Sequence, residues 1–351
     1  MSGTGVLTKR DELCVHFDER AAYLAAKDIA TQPKEYVVEK YHVKSDVRDW
    51  KYDWAKQDVI RSGVNSTLVR RIAYRPLDYR YAYYTGESRG FMGWPVYTVM
   101  QHMLNAKNIA LVTARSNKSG DSSHFFVSDA LVEYKCGERT TNSSVFPLYV
   151  VDDGLAAGDI RPNFNQSVVD EFEEKTGMTY DPANSGITNA DEFGPYALFA
   201  YIYACLHSSA FREKNKEFIN RGFPVVPYPS SQDAFHTLAE LGNELVTTHL
   251  LCFEIEESNQ FYGEDRHITS ISLKDGSAFI NKSSHFVGVD ERMWKYTIGG
   301  YQPCQRWLKD RKGRVLDEAD ILAYRKLLHS VAVTRLIVGR IDEYWSHCFP
   351  N

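Results

Sequence analysis

Cysteine is scarce and scattered: six residues (Cys14, Cys136, Cys205, Cys252, Cys304 and Cys348) stand far apart in 351, with no CxxC pair. That spacing excludes a disulfide framework or a zinc ribbon, and a chain without either is expected in the reducing cytoplasm. Long apolar runs are also missing. The longest, "YALFAYIYACL" at 196–206, falls well short of the roughly 18 residues that cross a bilayer, so no membrane span is expected. Phosphate-cradling glycine loops are absent, with neither GxGxxG nor GxxxxGK[ST] present, and none of the eleven histidines falls in HExxH or another metal-ligand spacing. Positive charge is not in excess either. A net charge of −5 excludes a protein that coats nucleic acid over its whole surface.

What charge there is lies unevenly. Residues 1–150 hold 21 Lys and Arg against 17 Asp and Glu, 151–260 hold 6 against 18, and 261–351 hold 14 against 11. Two mildly basic ends flank an acidic middle, and apolar residues, at 43%, suffice for a sizeable core.

The pattern predicts a mixed α/β (α+β) protein. It divides into a sheet-rich part (1–155), an acidic helical scaffold (156–258) and a C-terminal part (259–351) with a basic segment and a long helix. Alternation predicts strands at 13–17, 72–85, 108–115, 124–135 and 146–151, forming a twisted, mostly antiparallel sheet with flanking helices. Asp18 and Ser45 are expected to cap helices, and Gly177 to end one at "QSVVDEFEEKTG". Pro195 opens a helix, Ser208 or Ser209 caps the next, and "FPVVPYP" is a stiff spacer. Ser230 and Asp233 are positioned as a capping box for the helix after them. A stripe of Leu327, Val331, Thr334, Val338, Ile341 and Trp345 marks a long helix capped by Asp317 or Asp320, its apolar face turned to the chain's own core.

Two stretches carry chemical signatures. "GESRG" (86–90) matches the nucleophile-elbow pattern around Ser88, but Gly93 and Pro95 follow where that elbow must launch a helix, which argues against a serine hydrolase. Glu133 and Lys135, on one face of a strand with Asp121 or Asp129 upstream, match a metal-dependent nuclease, but a surface ion pair is the simpler account. No Asn-Pro-Pro-aromatic segment, by which adenine methyltransferases grip a flipped base, is present.

"RRIAYRPLDYRYAYY" (70–84) packs four arginines and five tyrosines into fifteen positions. There and beyond it, the chain resembles the C-terminal specificity region of type ISP and related single-polypeptide restriction-modification enzymes, in which a target-recognition domain follows an adenine methyltransferase core. "GVLTKRDELCVHFD" (5–18), "NIALVTAR", "FPLYVV", "FAYIYACLHSSAFREKN" with "FPVVPYP", and "IGGYQPCQRWLKDRKGR" (298–314) fall in that family's order. The helicase, nuclease and methyltransferase parts are missing from these residues. The resemblance therefore implies a non-catalytic specificity module that reads duplex DNA, partners the methyltransferase and nuclease portion of the same enzyme, and has no cofactor of its own. S-adenosylmethionine is expected only in the methyltransferase core.

A sequence reader needs phosphate contacts for register and long donors for base edges. Arg75 and Arg80 are candidates for phosphate or guanine or, equally, for ion pairs with Asp78 at the strand edge, while Tyr79, Tyr81 and Tyr83 are expected under the strand. Segments shared by enzymes that read different sequences are scaffold, which shifts base reading to the loops 115–124 and 135–144. Arg115, Lys118, Ser122 and His124 carry suitable donors there. Arg306, Lys309, Arg311, Lys312 and Arg314 around Trp307 suit the phosphate backbone. Exposed Tyr79 and Tyr81 faces would instead favour a sugar-binding module.

Overall fold

The computed structural model describes residues 1–104, 107–120, 122–151, 160–187, 191–255 and 259–349. The architecture is α+β. Strands β1 (Gly3–Thr4), β2 (Val15–His16), β3 (Val69–Arg75), β4 (Asp78–Tyr83), β5 (Ala110–Ala114), β6 (Phe126–Ser128), β7 (Leu131–Val132) and β8 (Ser143–Pro147) divide between two sheets. One is antiparallel throughout, in the order β1-β8-β5-β6. The other runs β2-β4-β3-β7 and is antiparallel except where β3 meets β7. A third, of order 261–262, 285–287, 277–279, 272–274, is antiparallel and lies in the C-terminal part.

The segment 72–85, expected as one strand, is a hairpin. Pro76 and Leu77 form its two-residue turn between β3 and β4, with Leu77 at φ 61°. Proline pre-sets the first turn position, whereas the second wants positive φ, which glycine or asparagine normally supplies. Burial of Leu77 to 2% exposure offsets what that backbone costs.

The faces of β4 are also opposite to expectation. Asp78, Arg80 and Ala82 are buried and Tyr79 and Tyr81 are only half-buried, while Tyr83, at the end of the strand, is buried as expected. An arginine can sit inside only if carboxylates accept its charge, and this one has two, described below.

Local capping signals act as the sequence implies. The Asp18 carboxylate accepts from the Ala21 amide (2.7 Å) at the start of helix Glu19–Thr31, and Ser208 caps Ser209–Lys214. Gly177, at φ 68°, ends Gln166–Thr176. Asp317 and Asp320 are both used, in a reciprocal box opening helix Glu318–Cys348. Two expectations shift. Ser231, not Ser230, caps Gln232–His249; and the helix expected from Ser45 begins at Tyr52, whose amide is held by the Asp46 carboxylate at 3.0 Å.

Two cores form. The first unites side chains of the β3–β4 hairpin with Ile268, Phe286, Trp307 and Tyr324 from the C-terminal part. The second lies between helices Pro195–His207 and Gln232–His249 and the far end of the C-terminal helix, with Ile341 and Trp345 in it. Tyr203, His249 and Thr334 tie these helices together. Thr334 Oγ1 donates to the Ser330 carbonyl (2.6 Å), so His249 Nε2 must donate to Thr334 (2.9 Å), and Nδ1 accepts from the Tyr203 hydroxyl (2.6 Å). Burial holds His249 neutral, well below its ordinary pKa. The two helices touch backbone to backbone at Gly242, where an added Cβ would lie 1.9 Å from the Ala200 carbonyl oxygen. Gly242→Ala is therefore expected to cost roughly 1–3 kcal/mol by overpacking, against at most about 1 kcal/mol gained in helix propensity; a lowered denaturant midpoint checks this.

No helix among the described residues is long and apolar enough to cross a membrane, and all six cysteines are free thiols.

Candidate nucleic-acid interface

The hairpin and the C-terminal basic segment are welded by a buried ion network. Asp78, 3% exposed, accepts from Arg80 (Nη2 to Oδ2, 2.7 Å) and from Arg311 (Nη2 to Oδ1, 2.9 Å). Arg80 also reaches Asp310 at 2.6 Å, and Arg311 approaches Asp320 at 3.7 Å. The guanidinium groups of Arg80, Arg311 and Arg314 stack about the ring of Phe17 at 4.6, 4.5 and 4.1 Å. Burial would raise the Asp78 pKa, but Arg311 and Arg80 outweigh it and hold the carboxyl at about 2.

This network corrects two of the sequence-derived contacts. Arg80 and Arg311 are 7% and 3% exposed and both are ion-paired with Asp78, so they hold the fold together rather than face a ligand. His124 is likewise buried, stacked on Phe125 with its Nδ1 against the Asn117 amide. Arg314 is half-buried beside Asp320 at 3.5 Å, and Lys312 is exposed.

The network also places the surface above it. Helix Pro303–Asp310, fixed by Arg80 and Arg311, presents Arg306 and Lys309 across a hollow from Arg75, Lys135 and Arg139. The hollow encloses about 610 Å³ and is completed by Thr297, Gly300, Tyr301, Gln302 and Gln305; no carboxylate is among these lining residues. Arg75 is bonded to Glu133 beneath the floor, and Arg306 Nε to Asp310 at 2.8 Å. Among the described residues, Lys135 Nζ donates to the Thr140 carbonyl (3.3 Å) and Lys309 Nζ to the Gln305 side-chain oxygen (3.0 Å), both neutral acceptors. Lys135, Arg139 and Lys309, with the ion-paired Arg75 and Arg306 beside them, line one hollow and make it a site for a polyanion.

Beside it lies a second hollow of about 560 Å³, lined by Ser122, Ser123, Arg212, Arg335 and others, with Thr297 shared between the two. Ser122 lines this second hollow, whose wall also carries Glu213 and Asp342. Arg115 and Lys118 are exposed on the loop leading to it. Lys135 was legible only as nuclease chemistry, and Arg139 lay unnamed inside "KCGERTTNSS"; the signal for both was a polar, charge-bearing loop between strands.

The nuclease reading finds no support. Glu133 is 4% exposed and accepts from Arg75 and from the Lys135 amide (2.7 Å). Burial pushes its carboxyl up to about 7 against the pull of Arg75, which disfavours metal ligation near neutral pH. Asp129 pairs with Arg71 at 2.8 Å, and Asp121 lies outside the described residues. No cluster of three or more metal-holding side chains occurs among the described residues. Nor does the tyrosine face form a sugar platform: Arg71 lies 4.0 Å over the Tyr79 ring.

The chain belongs to the Type ISP C-terminal specificity domain family, whose model matches residues 1–335, in agreement with the resemblance of its ordered sequence blocks. Solved structures that share the fold include three in complex with DNA or a DNA substrate mimic. One is a cryo-electron-microscopy structure of a DrdV–DNA complex, with TM-score 0.69 and 17% identity, covering 97% of this chain and 36% of that one. The second is the ATP-dependent Type ISP restriction-modification enzyme LlaBIII bound to DNA (0.67, 16% identity, 98% and 23%). The third is a nuclease-deletion mutant of the Type ISP enzyme LlaGI in complex with a DNA substrate mimic (0.64, 15%, 98% and 32%). This chain spans 23–36% of the length of those chains. No curated protein sequence matches it.

Proposed function

We propose that this chain recognises a specific duplex DNA sequence for a restriction-modification enzyme and carries no catalytic centre of its own. The observation that carries the reading is the hollow in which Arg75, Lys135 and Arg139 from the sheet-rich part face Arg306 and Lys309 from the C-terminal part. Membership of a specificity-domain family and DNA in the three similar structures support it. Phosphates bind the cations and fix register, while loops 115–120 and 135–142 meet the base edges. Arg115, Lys118, Ser122 and Lys312 extend the contact outward from the hollow. The partners are duplex DNA and the methyltransferase and nuclease portion of the enzyme, in the cytoplasm; S-adenosylmethionine belongs to that portion.

Fluorescence anisotropy of the 351-residue chain with random-sequence duplexes at several salt concentrations tests this. Binding is expected to weaken linearly in log salt, with a slope near −0.9 for each phosphate contact. Salt-independent binding, or none, overturns the reading.

A further inference from the structure

A hollow lined with cations explains affinity, but charge alone carries no sequence information. We infer that Arg139 is the residue that reads sequence here, by donating two hydrogen bonds to the O6 and N7 acceptors of a guanine in the major groove. The inference rests on the DNA reading above and adds a division of labour within the hollow.

The first argument is availability. A guanine edge requires a guanidinium with two free parallel donors, whereas a phosphate accepts any cation. Three arginines line the hollow. Arg75 gives its Nη1 to Glu133 and to the Tyr74 carbonyl, and Arg306 is held on Asp310 through Nε, a pair that neutralises its charge and aims its remaining Nη donors. Arg139 is exposed, and its guanidinium makes no ion pair among the described residues. Lys135 and Lys309 are point charges on flexible stems, suited to phosphate.

The second argument is placement. A base reader must be held by a rigid backbone, because each donor has to meet its acceptor within a few tenths of an ångström. Arg139 is fixed on both sides. Its amide donates to the Gly299 carbonyl at 3.0 Å. Just before it, Glu138 is fully buried and one carboxylate oxygen accepts from the Thr140 amide, the Thr140 hydroxyl (2.7 Å) and the Thr141 amide (2.7 Å). The loop is then sewn to its neighbours: Thr141 Oγ1 donates to the Ser116 carbonyl at 2.6 Å, and the Lys118 amide to Thr140 Oγ1 at 3.3 Å. Gly300, at φ 76°, leaves room for the junction, since a Cβ there would lie 3.2 Å from Ser119 Oγ and 3.8 Å from Arg139 Cβ. Three loops distant in sequence thus present one uncommitted arginine fork at the hollow's rim.

The test is site selection from a random duplex pool by the 351-residue chain and by Arg139→Ala, with binding constants measured on the selected duplex and its single-base variants. The unaltered chain is expected to enrich a site with at least one guanine that it prefers by roughly 5- to 150-fold, the usual reach of a bidentate base contact. In Arg139→Ala that one preference disappears while those at other positions persist. Lys309→Ala is expected to weaken all duplexes alike. If Arg139→Ala also weakens all duplexes alike and leaves every preference in place, Arg139 is a phosphate contact and the inference falls, while the DNA reading stands. If neither form binds duplex DNA in a salt-dependent way, the reading itself falls.

Discussion

Asp78→Ala is expected to lower stability by about 3–5 kcal/mol, the cost of stripping one partner from a buried ion pair and leaving the other charge uncompensated. Here two guanidinium groups, on Arg80 and Arg311, lose an acceptor at once. Their remaining carboxylate neighbours, Asp310 and Asp320, lie at 2.6 and 3.7 Å, so Arg311 is the worse stranded of the two. Replacing both arginines by methionine in the Asp78→Ala background should recover part of the loss, because apolar groups of similar volume need no counter-charge. Guanidinium unfolding midpoints of the three proteins check the order.

The same carboxyl gives a signed pH dependence. Its folded pKa, about 2, lies below the ordinary unfolded value of about 3.9. The folded state therefore binds fewer protons between those values. The stability from Asp78 is complete above about pH 4 and is lost as pH falls toward 2. Asp78→Asn should lack this acid-side slope, so its difference from the unaltered protein shrinks on acidification.

Paired removal of Lys135 and Lys309 is the second large effect. These lysines belong to different ends of the chain, line one hollow, and donate to neutral acceptors. Each phosphate contact contributes a slope of about −0.9 in log affinity against log salt, worth roughly fivefold between 1 M and 0.15 M. The double alanine variant should reduce the slope by about 1.8 and weaken binding about 30-fold at 0.15 M salt. Each single variant should give about half of the slope change. If only one of the two matters, the cations do not act on one duplex.

How much of this could be read from the sequence follows from how local each cause is. Asp18, Gly177, Ser208 and Asp317 act on amides and carbonyls within one helical turn, and their roles were legible. The hairpin in 70–84 was not. Its turn uses Leu77 in place of the glycine that would have announced it, and burial far from that turn decides which face of β4 points inward. Arginine misled for the same reason: Arg75 and Arg80 stand five positions apart, yet one reaches the hollow and the other is buried on Asp78 and Asp310. Asp78, two positions from Arg80, offered the ion pair locally, but the Asp310 contact that completes its burial comes from a distant segment. Arg139 was hidden differently, since the Glu138, Ser116 and Gly299 contacts that make its loop rigid join three distant segments. Family order in the sequence blocks singled out the basic segment 306–314, but could not separate Arg306 and Lys309, which line the hollow, from Arg311, which is interior.

The central claim is that a duplex lies in the hollow between the sheet-rich and C-terminal parts. Photocrosslinking from duplexes carrying iododeoxyuridine, with the attachment sites mapped by mass spectrometry, tests that most directly. Crosslinks are expected in residues 135–140 and 297–309, with Tyr301 foremost because its ring borders the hollow. Attachment confined to the acidic helices 166–176 and 232–249, with none in the hollow, would contradict the account.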